Sequence, residues 1–193
     1  MQSSPDIIYR QAVPSDYGGI IALQKENLIG NLSQEEAKDG FLSIEMDEWQ
    51  FDEINRDIGI AVAVAGHEIL GYLCGTSYSY SLQFPILRTM LGKLHELAFD
   101  KKPLTAGNTF IYGPVCIARS ARGNGILIGL YEQLKLIAAP HYSFCLLFIS
   151  DGNKRSFNAH LKLGMKPLGM FEFNKGHFYI LGAALQGLIL RSK

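Results

Sequence analysis

The feature that most constrains this chain is a run in which a strand, a glycine-bearing turn, a helix and a second strand follow one another. Residues 109–118 are β-rich, residues 125–138 place Ile126, Leu130, Leu134 and Ile137 at helical spacing, and residues 144–149 are unbroken apolar sequence. An unbroken apolar strand is one covered on both faces. A strand that returns through a helix must lie parallel to the strand it left, so the two strands are expected to form a parallel pair. Gly113-Pro114 interrupts the first of them. Proline cannot donate to a ladder, so its presence predicts an edge position or a bulge, and a kink in the strand.

The remaining pattern is also mixed α/β. Residues 7–13 read as a strand, Pro14-Ser15-Asp16 supplies capping residues, and Ile20, Ile21, Leu23 and Leu28 mark the apolar side of a following helix. Ser33-Gln34-Glu35-Glu36 resembles a second helix start. Two β-rich runs, 58–64 and 68–76, are joined by Ala65-Gly66-His67 and predict an antiparallel hairpin. The stretch 77–108 is less regular: Tyr78, Tyr80 and Phe84 precede a helical-looking 86–99, which Lys101-Lys102-Pro103 ends. We expect one domain over residues 1–193, with 77–108 as an insertion forming a candidate wall of an acceptor site. A helix over 154–163 stops at Gly164, and strands 166–173 and 177–181 turn at Asn174-Lys175-Gly176.

Composition excludes several classes. Hydrophobic residues make up 48% of the 193 and charged residues 19%, enough apolar surface to offset the entropy of ordering. The longest apolar stretches, 144–149 and 183–190, fall short of the roughly 20 residues a membrane span needs. The first six residues lack a basic region followed by an apolar one, so a cytoplasmic location is expected. Cys74, Cys116 and Cys145 each sit inside an apolar run without CxxC spacing, which reads as small buried hydrophobes and not a metal site or disulfide. The formal net charge is zero, which removes the broad basic field of a nucleic-acid binder. Residues 34–53 nevertheless hold eight acids against Lys38 alone, whereas 109–180 hold eight Lys or Arg against three acids.

The segment with chemical content is Ile117-Ala118-Arg119-Ser120-Ala121-Arg122-Gly123-Asn124-Gly125-Ile126. A strand that enters a helix through a glycine turn leaves backbone N–H groups pointing outward. With the positive helix end they suit a phosphate or pyrophosphate, and glycine permits the close approach. Alone, the turn reads equally as a tight connection that binds nothing.

In order and spacing over nearly the whole chain, the sequence resembles the GNAT superfamily of N-acetyltransferases. The family's pyrophosphate loop is Arg/Gln-x-x-Gly-x-Gly/Ala. Residues Arg122-Gly123-Asn124-Gly125-Ile126-Leu127 fit the first five places and depart at Leu127, where a small residue is usual. Asn153-Lys154-Arg155-Ser156 opening a helix that ends at Leu163-Gly164-Met165 is similar to the family's Asn-x-x-Ser/Ala helix, and Arg10-Gln11-Ala12 through Asp16, Ile20 and Leu23 to its first strand and helix.

The resemblance implies a GNAT-type acyl-CoA N-acyltransferase fold, a bent mixed sheet of about seven strands flanked by helices. It implies acetyl-CoA as co-substrate and direct transfer of acetyl to an amine, without a covalent enzyme intermediate. Val115, Ile117 and Ala118 would pair with the pantetheine arm. Arg122, Gly123, Asn124, Gly125, Ile126 and Leu127 would hold the diphosphate, with Asn153 and Ser156 on the second helix. The backbone N–H near Ile117 would stabilise the oxyanion, a contact worth ~3 kcal/mol. His160 stands where the family often has a tyrosine that protonates the leaving thiolate; proton transfer, positioning of the cofactor and packing all stay open for it.

For the general base, Asp151, Glu26, Glu45 and a water relay are the alternatives. The acidic block would draw in a cationic amine, or is simply a solvated helix face. The expected partner is a small-molecule amine, with no nucleic acid and no membrane; a homodimer is left open. The alternative is a module of the same fold that binds acyl-CoA without catalysis. His67, His95, His141 and His177 read as surface or structural residues. Tyr78, Tyr80, Phe84 and Trp49 would form either an aromatic acceptor wall or core.

Overall fold

A computed structural model of the protein describes residues 6–185. The first five residues, and residues 186–190 of the apolar tail, lie outside the described part. The elements run β1 Ile7–Gln11, α1 Tyr17–Asn27, α2 Gln34–Ala37, α3 Glu48–Asp57, β2 Gly59–Ala65, β3 Glu68–Thr76, α4 Tyr78–Ser81 and α5 Pro85–Gly92. They continue with β4 Ala98–Phe99, β5 Lys102–Pro103, β6 Thr109–Ile117, α6 Ile126–Ala138, β7 Phe144–Ser150, α7 Lys154–Lys162, β8 Lys166–Phe173 and β9 Gly176–Ala184. Seven strands form one mixed sheet in the order β1-β2-β3-β6-β7-β9-β8, and β4 and β5 make a separate pair.

The expected crossover is present: β6 and β7 are parallel, in the register Thr109↔Phe144, Phe110↔Cys145 and Ile111↔Leu146. β2 and β3 are antiparallel, as are β8 and β9. Of the edge position or bulge that the proline allows, the edge is not what is found, because β6 lies between β3 and β7. Its register pairs with β7 end at Ile111, ahead of Gly113-Pro114, so the missing N–H interrupts none of them. Gly113 takes φ +113°, a region that favours glycine.

By backbone contacts the chain divides into two compact units. One comprises the residues up to Ala37, Phe41–Gly75 and Gly113–Ala138. Its core forms where α6 lays Ile126, Leu130 and Leu134, one helical turn apart and all buried, against a strand β2 that is itself buried almost throughout. Helix α1 buries Ile20 and Leu23 as its pattern predicts, while Ile21 and Leu28 stay half-buried. Its start is fixed by Asp16, whose carboxylate takes both Arg10 guanidinium nitrogens at 2.6 and 2.8 Å and the Val13 N–H at 2.8 Å. These contacts hold that carboxyl below its ordinary range.

Helix α3, inside the acidic block, begins with a reciprocal cap between Asp47 and Gln50 and buries Phe51 and Ile54. Phe51 meets Tyr72 edge-on, with ring centroids 5.6 Å apart. Between α1 and α3 the backbone is held by Gln24, a fully buried amide that donates to the Met46 carbonyl at 2.7 Å and accepts from the Met46 N–H at 3.0 Å.

Within this unit Gly129 sits against the Tyr9 ring, and a Cβ placed there would lie 2.2 Å from ring atoms. Alanine normally gains up to about 1 kcal/mol over glycine inside a helix. Here the overlap outweighs that gain, and Gly129→Ala should destabilise the protein by about 1–3 kcal/mol. A rise in the thermal midpoint of this variant would refute the packing described for α6 and β1.

The other unit comprises Lys38–Gly40, Thr76–Tyr112 and the residues from Ala139 onward. Its core gathers Met90, Leu91, Leu94, Phe99, Phe144, Leu146, Phe171 and Ile180. In the stretch 77–108 the helix expected over 86–99 is shorter. It runs only from Pro85 to Gly92, a single turn follows at Leu94–Glu96, and Ala98 and Phe99 pair with Pro103 and Lys102. Asp100 and Lys101 make that turn at φ +48° and +69°. The Lys166 ammonium, 4.9 Å from the centre of the Phe99 ring, also bonds Asp100 at 2.7 Å and covers the turn.

Candidate functional site

In the first unit, β6 leads into the turn read as a phosphate cradle. A short 3-10 turn, Arg119–Ala121, is followed by Arg122 in extended conformation, Gly123 at φ +84°, Asn124, and Gly125 at φ +78° before α6 begins. Both glycines have left-handed backbones, which side-chain-bearing residues adopt at a cost. Gly123, Asn124 and Gly125 are exposed, and a Cβ built at either glycine would meet nothing within 4 Å. Leu127, which is half-buried, also stays beyond that distance from both positions.

Ile128 and Gly129 both donate to the Gly125 carbonyl. Among the described residues, no hydrogen bond takes up the N–H groups of Gly123, Asn124, Gly125, Ile126 or Leu127. Five adjacent donors at a helix start make a place for a polyanion.

The preceding strand contributes half-buried Val115 and Ile117. The Ala118 N–H is taken by the Leu70 carbonyl of β3 at 2.8 Å, so it is not open to a ligand. Successive N–H groups alternate sides along a strand, which turns that of Ile117 away from β3. Arg122 folds inward: Nε donates to the Ile117 carbonyl at 3.0 Å and Nη2 to the Asn27 side-chain oxygen at 2.6 Å. Arg119 instead meets Glu36 at 2.9 Å. That carboxylate also takes the Ser33 N–H and hydroxyl, and together these partners pull its pKa down to about 2.

In the second unit, Asn153 caps α7 by accepting the Ser156 N–H at 3.1 Å. One turn on, His160 is only 2% exposed. Its Nδ1 lies 2.7 Å from the Ser156 carbonyl, an acceptor only, so this nitrogen carries the proton and Nε2 bears the lone pair. Nε2 is buried without a partner among the described residues. The ring stands edge-on to buried Tyr112 at 5.4 Å. Burial drives the imidazole pKa down to about 4, against a partial upward pull from the Ser156 carbonyl, so the ring is neutral at pH 7. An imidazole at its ordinary pKa of 6.5 would be a proton source near neutrality, and burial removes this ring from that range. As placed, His160 is an acceptor and not a stored acid.

Lys154 lies over the Tyr179 ring at 5.4 Å and Arg155 bonds Asp39 at 2.5 Å. The acidic block is thus partly spent on structure: Glu36 and Asp39 pair with arginines, Asp47 caps α3, and Asp52 bonds Arg56 at 2.7 Å. Asp151, after β7, is half-buried, while Glu26 and Glu45 are exposed.

Of the aromatic residues, Tyr78 packs against the second unit's core and Tyr80 against Phe84. Trp49 is 63% exposed beside a shallow hollow of about 370 Å³ lined by Pro14, Tyr17, Glu48 and Asp52. His67, His95, His141 and His177 are all exposed. The three cysteines are buried, and burial pushes the Cys116 thiol up to about 12, the reverse of an activated nucleophile.

No protein-family model matches this sequence, and no curated protein sequence matches it either. Solved structures do match. An N-acetyltransferase from Staphylococcus aureus Mu50 aligns over 94% of this chain and 99% of its own at 19% identity and a TM-score of 0.60. The yncA protein of Salmonella typhimurium, solved with its cofactor acetyl-CoA, aligns over 94% and 95% at 13% identity and TM-score 0.59. An acetyltransferase of the GNAT family from Streptococcus pneumoniae aligns over 93% and 99% at 14% identity and TM-score 0.58. The protein has the fold of the GNAT acetyltransferases, along nearly its whole length.

Proposed function

We propose that this protein is an N-acetyltransferase that carries acetyl from acetyl-CoA directly to an amine, with a small cationic amine as the favoured acceptor. The observation that carries the reading is the run of five unengaged N–H groups from Gly123 to Leu127, at the start of α6 in a GNAT fold. Here they would hold the coenzyme's diphosphate, and Val115 and Ile117 would meet its pantetheine arm. The whole chain then acts as one catalytic domain in the cytoplasm.

The coenzyme supplies an activated thioester. The chain's own groups do the rest: the Ile117 N–H donates to the carbonyl oxygen as charge builds on it. The ammonium proton leaves to water before attack, and as the C–S bond breaks the departing coenzyme A thiolate takes up the second proton shed by the amine nitrogen. Three buried cysteines, with the Cys74 and Cys116 thiols pushed up by burial, fit direct attack without an acyl-enzyme.

The test is thermal stabilisation by coenzyme A and acetyl-CoA, followed by thiol release across a panel of small amines, amino acids and peptides. Stabilisation with release by cationic amines is expected. Stabilisation without release for any amine would replace the enzyme by an acyl-CoA-binding module, and absence of stabilisation would remove both.

A further inference from the structure

Arg122 opens the phosphate-binding turn, yet its guanidinium is turned into the protein. Nε reaches the Ile117 carbonyl at the end of β6, five residues back, and Nη2 reaches Asn27 at the last position of α1, at 2.6 Å. Asn27 is 2% exposed and cannot swing away. Its own amide nitrogen donates to the Leu23 carbonyl at 2.9 Å, and its backbone carbonyl receives the Leu42 N–H at 2.8 Å. The side-chain oxygen is therefore presented in one direction, toward Arg122. A charge-assisted bond to a fixed amide, with a second bond to the strand end, draws the start of the turn against two rigid elements.

The turn otherwise has little to hold it: Gly123, Asn124 and Gly125 are exposed, and nothing packs within 4 Å of either glycine's Cβ direction. A flexible turn must be ordered when the coenzyme binds, and ordering it beforehand raises affinity without any new ligand contact.

We propose that Asn27 is a positioning residue for the coenzyme: through Arg122 it holds the phosphate-binding turn in its binding shape, and Arg122 serves as this clamp and not as a phosphate ligand. The proposal rests on the reading of that turn as the diphosphate site. It assigns a role to a helix-end asparagine outside the loop motif.

The experiment is calorimetric titration of the full chain with coenzyme A at several salt concentrations, for wild type, Arg122→Ala, Arg122→Lys, Asn27→Ala and the Asn27→Ala/Arg122→Ala pair. A clamp needs the two-pronged guanidinium, so Arg122→Lys should lose about as much affinity as Arg122→Ala, on the order of tenfold. The double variant should bind no worse than Arg122→Ala, because both changes open the same clasp. The salt dependence should keep the wild-type slope in Arg122→Ala, since no phosphate contact is removed.

Wild-type affinity in Arg122→Lys, or a shallower salt slope in Arg122→Ala, would make Arg122 a direct phosphate ligand and overturn the proposal. Should Asn27→Ala fail to fold, the two Arg122 variants decide the matter alone. Failure of the wild type to bind coenzyme A would instead strike at the function, not at this clamp.

Discussion

Coenzyme A affinity should fall about a hundredfold when Gly123 and Gly125 are both replaced by alanine. Each glycine holds a left-handed backbone, at φ +84° and +78°, that costs an L-residue roughly 1–2 kcal/mol. Relaxing that strain rotates the peptide groups and scatters the donors which the cradle needs together, about tenfold for each position. Space is not the limiting factor, since a Cβ at either site meets nothing. The loss should thus appear as weaker binding in a protein whose thermal midpoint barely moves. Unchanged affinity for coenzyme A in the double variant would dismiss the turn as the diphosphate site. Leu127→Ala provides the control, with affinity within a few-fold of wild type.

His160 should make the protein sensitive to acid well above the range of its carboxylates. Its pKa is depressed from 6.5 to about 4 in the folded state, so the unfolded chain binds the extra proton first as pH falls. Stability from this group is complete above about pH 6.5, declines as pH drops, and is fully lost near pH 4. A shift of that size corresponds to roughly 3 kcal/mol. Urea unfolding of wild type between pH 7 and pH 4, set against His160→Phe, should show the wild type losing about that much more. Parallel pH curves would mean that the imidazole is not held neutral.

How far the sequence shows this arrangement depends on the range of the interactions involved. The parallel β6–β7 pair, the α6 apolar stripe and the hairpin of β2 and β3 were legible because periodicity and glycine turns are local signals. The choice between edge and bulge for the proline-bearing strand was not, since the proline rule describes one strand and cannot know which partners pair on either side of it. The inserted helix was overextended: apolar residues past Gly92 continue the helical spacing, but Leu94, Leu97 and Phe99 are buried through a turn and a short hairpin instead.

At the site, the glycine turn and His160 stood out in the motifs. The neutral state of His160 did not, because it arises from burial against Tyr112, 48 positions away in the chain. Nor did Asn27, whose only local mark is an asparagine at the end of a helix; its contact with Arg122 spans 95 residues. Charge counting overstated the acidic block for the same reason, since the arginines that Glu36 and Asp39 meet lie far along the chain.

The paired bonds of Gln24 to Met46 bear on how the stretch ahead of α3 keeps its path. A lone amide from a neighbouring helix reads that backbone as a facing strand would, satisfying donor and acceptor together. The route of the peptide is thereby dictated from outside the stretch. Leu42 and Met46 stay buried along it, but exposed Ser43 and Glu45 are left free to be chosen for what they present to solvent, so the protein can change its surface there without redrawing its chain trace.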